Sequence, residues 1–273
     1  MRFIYSNPRI AISGGFIALI CLAALTAPWL APYPFDLQDT HSILQGPGSE
    51  HWMGTDRLGR DLFSRLLYGA RMSLSVGIFT AVFAVLFGTI YGAVSGYIGG
   101  KMDNLLMRFV DLVYSLPDLL LIILITVTIG RGVLGIFLAL SLVSWVTVAR
   151  IIRGEVLKLR EFSYVEAARA VGAPHHRILF RHILPNTLGV LIVTLTFRIP
   201  AAILAESTLS FIGLGIAPPF ASWGSMANEG WSAMKFYPHL ILFPSLVLFL
   251  TIGAFNILGD SLRDVFGPEQ RMR

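Results

Sequence analysis

Six long apolar runs separated by polar interruptions dominate the chain. About 20 consecutive apolar residues, coiled as a helix, cross the hydrocarbon core of a bilayer. The pattern therefore predicts an all-α membrane protein with six transmembrane helices, near residues 10–30, 72–95, 105–130, 133–149, 187–211 and 240–258. The first run is expected to be retained as a span: it is long for the apolar region of a signal peptide, and no clear small-residue cleavage pattern follows it. No hydropathy unit repeats sharply enough to claim an internal duplication.

The interruptions give the expected organisation. Residues 1–31 form an N-terminal cytoplasmic end and the first span. Residues 32–71, rich in Pro, Asp and Gly at the start, read as an extracytoplasmic loop in which 56–68 make an amphipathic helix. A five-helix core covers 72–260, with an external loop at 212–239, and 261–273 is a cytoplasmic tail.

The longest polar interruption in the second half, 150–185, carries seven Arg/Lys against three Glu, which places it and both termini in the cytoplasm. Ser163 and Glu166 stand at capping-box spacing, and Gly172 is a helix terminator. Pro174 suits the first turn of a second short helix, which Pro185 interrupts or closes. The pattern thus predicts a cytoplasmic helix-turn-helix between spans 4 and 5, with Ile178, Leu179, Phe180 and Ile183 as its apolar contacts.

Composition agrees with the membrane reading: 55% of residues are hydrophobic, only 14% are charged, and the mean hydropathy is +0.71. A formal charge of +5 and a pI near 9.6 invite nucleic acid as a partner. The basic residues collect instead at span flanks and in the 150–185 loop, so membrane lipid is the expected contact and nucleic acid is not. Cys21 is the single cysteine and lies in an apolar run, which excludes an internal disulfide or a cysteine-based metal site.

Chemistry is sparse. The GTDRLG stretch lacks the Lys-Ser/Thr of a phosphate loop, and there is no H-E-x-x-H and no local nucleophile arrangement. His175, His176 and His182 read as structural or surface residues, since the first two point in different directions on a helix. Trp223 and Trp231 read as interface anchors or loop packing rather than a substrate cage. Charges inside spans usually face protein or water, so Asp111, Asp118, Arg198 and Glu206 are candidates for either structural pairs or pathway contacts. Asp111 can pair with Arg108 three residues before it. Pro117, next to Asp118, can bend the third span, and the Ala and Thr of the fifth allow close helix approach.

The stretch EAARAVGAPHHRILFRHILPN resembles the EAA signature of permease subunits in bacterial-type ATP-binding-cassette importers, matching at Glu166, Ala167, Ala168, Gly172, Leu184 and Pro185. The usual isoleucine two residues before the Leu-Pro pair is His182 here. Residues 51–77, 204–226 and the C-terminal FNILGDSLRDVFGP resemble the dipeptide, oligopeptide and nickel group, specifically its second permease subunit. The resemblance implies a non-catalytic chain of the inner or plasma membrane, spanning it several times. It implies a heterodimer with a homologous permease, two ATP-binding subunits that bind ATP and Mg, an extracytoplasmic substrate-binding protein, and no cofactor in this chain. Glu166, Ala167, Ala168, Arg169, Gly172, Pro174, Leu184 and Pro185 are then the ATPase-coupling residues. Peptides are preferred over nickel because no His/Cys/Met cluster demands a metal. An ion-coupled secondary transporter using Asp118 and Glu206 is the remaining alternative.

Overall fold

The computed structural model describes residues 8–266, and within them the regular structure is helical apart from an isolated bridge between Thr55 and Asp61. Helix α1 covers Pro8–Leu25 and a single turn, α2, covers Ala27–Leu30. Helix α3 runs unbroken over Leu62–Ile98. Its 37 residues reach about 55 Å at 1.5 Å per residue, well beyond a bilayer core. The separate amphipathic helix expected at 56–68 is therefore absent: Asp61 caps Leu62–Ile98 by accepting from the Ser64 N–H at 2.7 Å, and residues 56–61 are loop.

The third apolar run is broken. Helices α4 (Gly100–Tyr114) and α5 (Asp118–Ile129) meet at 83° around Pro117, whose ring excludes the residue before it from helical backbone. Helix α6 covers Val133–Leu159, about three turns past the expected end of the fourth span. After the short α7 (Ser163–Ala170), α8 runs continuously over His175–Phe211. Helix α9 covers Trp223–Trp231 and α10 covers His239–Phe266. Helices α1, α3, α6, α8 and α10 are long and apolar enough to cross a membrane, and the bent α4–α5 pair makes a sixth if it counts as one span.

Helix α3 lies along α6 because Gly88, Gly92 and Gly96 put one small residue per turn on its contact face. A Cβ on Gly88 would come within 2.7 Å of the Trp145 carbonyl oxygen, and one on Gly96 within 2.9 Å of the Arg153 carbonyl. Bare backbone at these positions is what lets two spans touch without a solvent-driven core. Three apolar clusters follow along the bundle. One joins α1, α3, α8, α9 and α10 around Trp223, a middle one joins α3, α5, α6 and α8, and the third gathers at the end where α7 sits.

Candidate functional site

The α7 segment is a short helix seated on the ends of longer ones. Val165 and Ala168 of α7 and Ile178, Leu179 and Ile183 of α8 are buried against Ile152, Val156 and Leu159 of α6, Val110 of α4 and Ala93 of α3. A fully buried aliphatic side chain contributes about 1.5–3 kcal/mol, so packing holds this seat in place. Polar bonds add to it: Tyr97 Oη and His175 Nδ1 lie 2.9 Å apart, and Arg160 Nη1 donates to the Gly96 carbonyl at 3.0 Å.

The local backbone departs from the sequence reading in two places. Phe162, not Ser163, is the N-cap of α7, and no side chain caps it, so the Ser163–Glu166 capping box does not form. The turn Leu159–Phe162 and the inward faces of Val165 and Ala168 set the register instead. Pro185 does not close the second helix. Ile178–Ile183 is a π segment whose last bond runs from the Leu184 N–H to the Leu179 carbonyl, and this wider turn accommodates the proline within a continuous α8.

Gly172 takes φ +78°, a conformation costly for any residue with a Cβ. Its N–H donates to the Arg169 carbonyl and the Ala173 N–H to the Ala168 carbonyl, each at 3.0 Å, which ends α7 in a Schellman turn. Glu166, Ala167, Arg169, Gly172, Pro174 and Pro185 are exposed, Leu184 is half-buried and Ala168 is buried. The tip also exposes apolar side chains, with Val171 at 84% and Phe180 at 66%. What results is a projection anchored below and bare above.

The four charged candidates in the spans separate. Asp111 pairs with Arg150 of α6, not with Arg108, and the Arg150 guanidinium lies 4.0 Å from the centre of the Tyr114 ring. The extension of α6 brings Arg150 to this position. Asp118 opens α5 and, with Arg198 of α8, lines a cavity of about 210 Å³. Glu206 is fully buried, accepting from Ser73 Oγ at 3.0 Å and Ser210 Oγ at 2.7 Å, with Ser207 Oγ at 3.4 Å. Ser73 Oγ also accepts the Trp223 N–H at 3.3 Å, so Glu206 ties α3, α8 and α9 together.

Two polar clusters escaped the sequence reading. Arg153 of α6 donates through Nε and Nη2 to Asp103 of α4, both at 2.6 Å, and Ser95 adds a third bond. At the other end, Arg60 and Arg65 hold Asp56 and Glu229, which clamps the loop before α3 onto α9. Only the i, i+4 spacing of Asp56 and Arg60 was legible locally; Glu229 lies 164 residues beyond Arg65. In the same loop the Ser42 hydroxyl and the His41 N–H hold the exposed Asp39 carboxyl below its ordinary range. Trp223 is wholly buried with its indole N–H donating to the Leu66 carbonyl, whereas Trp231 is 57% exposed.

Residues 84–272 match the family described as binding-protein-dependent transport system inner membrane component. The chain belongs to that family. Residues 1–47 match the N-terminal TM domain of oligopeptide transport permease C. The permease is 45% identical to the dipeptide transport system permease protein DppC of Bacillus subtilis, over 96% of this chain and 83% of that one. It is 41% identical to the oligopeptide transport system permease protein OppC of the same organism, over 97% and 87%. The glutathione transport system permease protein GsiD of Salmonella typhimurium is 44% identical over 94% and 86%. A solved structure of inward facing conformations of the MetNI methionine ABC transporter shares the fold, with a TM-score of 0.61 at 17% identity, covering 74% of this chain and 95% of that one. Family membership makes this permease the non-catalytic, multi-pass membrane component of its transporter. It also implies ATPase subunits that use ATP and Mg, a paired permease and a substrate-binding protein.

Proposed function

We propose that the chain forms half of the translocation pathway of an ATP-driven importer for dipeptides or oligopeptides, in a heterodimer with a homologous permease. Two ATP-binding subunits drive it and an extracytoplasmic binding protein supplies the substrate. The relatives support the substrate class, being named for dipeptides, oligopeptides and glutathione, and none of those described above is named for a metal. The orientation adopted is six spans, counting α4–α5 as one, with both termini and the α7–α8 turn in the cytoplasm and α9 outside. The basic excess of 150–185 favours it.

The carrying observation for coupling is the anchored projection of α7 and the start of α8. Its apolar face is sunk into the ends of α3, α4 and α6, while Glu166, Ala167, Arg169, Gly172 and Pro174 face outward. A force applied by an ATPase subunit at this tip reaches three spans without passing through a flexible linker. Ala168, Leu184 and Pro185 then serve the seat and the entry into α8 rather than the contact itself.

Two measurements test the reading. The complex purified with its native binding protein should carry peptides identifiable by mass spectrometry; a bound metal chelate in their place overturns the substrate class. Val171→Cys in a Cys21→Ser background should cross-link to an ATPase subunit with a short bifunctional reagent. Cross-linking only to the binding protein would reverse the orientation.

A further inference from the structure

Arg198 and Asp118 line one small cavity between α5, α6 and α8, together with Ser144, Thr147, Ala201 and Ala205. Arg198 lies near the middle of the 28-residue α segment Leu184–Phe211, about 20 Å from either end. Among the described residues none makes a hydrogen bond or close ion pair with its guanidinium, and the Asp118 carboxylate is the counter-charge that acts on it from a distance. An arginine at membrane depth is costly unless water, a counter-charge or a ligand meets it. Alanines at 201 and 205 leave room beside it instead of packing that room shut.

The polar lining continues past this cavity. Ser144 and Thr147 face it from α6, and Arg150, one turn further, lines a second cavity of about 830 Å³ with Asn104, Arg108, Asp111 and Arg153. Leu140 and Val143 share the lining of the first cavity, and Val146 and Ala149 are buried against other helices. Polar side chains of α6 thus occur in the lining of both cavities.

We propose that the Arg198–Asp118 cavity is a way-station for a passing dipeptide, gripping its two ends. At neutral pH a free peptide carries a carboxylate and an ammonium group. The Arg198 guanidinium donates to the carboxylate, the ammonium donates to Asp118, and the Ser144 and Thr147 hydroxyls offer exchangeable bonds beside them. Charge-assisted hydrogen bonds are about twice as strong as neutral ones, so both ends count. The inference rests on the peptide reading above and names where in this chain the peptide's termini are read.

The test uses the whole complex in proteoliposomes with saturating, loaded binding protein, comparing a dipeptide with its C-terminally amidated form. Wild type should transport the free acid at least tenfold faster. Arg198→Gln should bring that ratio close to 1, and Arg198→Lys should restore much of it. Equal rates for both peptides in wild type, or an unchanged ratio in Arg198→Gln, overturn the assignment. If Arg198→Gln does not assemble, Ala201→Cys in a Cys21→Ser background decides the matter. An anionic, membrane-impermeant thiosulfonate should label it rapidly, and transported peptide should slow the labelling. Lack of labelling in every nucleotide state overturns the site. If wild type moves neither peptide, the peptide reading falls, while the labelling still decides anion access to the cavity.

Discussion

Glu206 and Arg198 are charged residues on the same helix, about two turns apart, and the protein treats them in opposite ways. Glu206 is enclosed by the hydroxyls of Ser73, Ser207 and Ser210, with Trp223 bonded to the same Ser73. Arg198 meets open space and a carboxylate across a cavity. A buried polar group with its bonds satisfied is a joint; one without protein partners is met by water, a counter-charge or a ligand. Placement within an apolar run does not separate these cases, whereas the neighbours from other helices do.

Substitutions that touch stability should divide the pair, and the largest loss is expected for Glu206→Ala. Removing an acceptor of two good hydroxyl bonds at a fully buried site costs about 3 kcal/mol or more. Thermal unfolding of the detergent-solubilised complex should show a marked drop; a midpoint equal to wild type would erase the contrast with Arg198. Ser73→Ala comes next, at about 1–2 kcal/mol, because it deprives both Glu206 and the Trp223 N–H of a partner. If Ser73→Ala has no effect while Glu206→Ala is severe, the joint lies within α8 and does not reach α9.

Gly172→Val is expected to cost about 1–2 kcal/mol from its left-handed backbone, since a Cβ there meets open space and no clash adds to the strain. Its larger effect should fall on ATP-coupled transport, with at least a tenfold loss in a complex that still assembles. Normal transport with normal assembly would count against the turn as a coupling element. Smallest in stability is Arg198→Gln, within about 0.5 kcal/mol, as no described bond is lost. A large fall in its unfolding midpoint would make Arg198 a joint like Glu206.

Much of the architecture could be read from the chain because its cause is local. The apolar runs are long enough to cross a bilayer, and Gly172 supplies the one backbone shape that ends α7. Element boundaries were less legible: Leu62 opens a helix that absorbs part of the outer loop, and α6 continues through Arg150 and Arg153 to Leu159. Hydropathy falls where a helix leaves the membrane, but its hydrogen bonds do not stop there. Pro117 and Pro185 show the same limit, since one breaks its helix and the other is taken up by a π segment. The Gly88-Gly92-Gly96 spacing is local to the sequence, but only the packed structure shows that it marks the face along which α3 meets α6.

By itself, then, the sequence determined that this chain lives in a membrane, which stretches are apolar enough to cross it, and, through its EAA loop, what family it joins. Those properties depend on length, hydropathy and short-range backbone preference. Tertiary structure alone decided which charges are spoken for. Asp111 took Arg150, Asp103 took Arg153, Arg65 took Glu229, and Arg198 was left at a cavity. A charge is satisfied by whatever lies within about 3 Å of it. In a bundle of long helices, those neighbours come from segments tens to more than a hundred residues away along the chain.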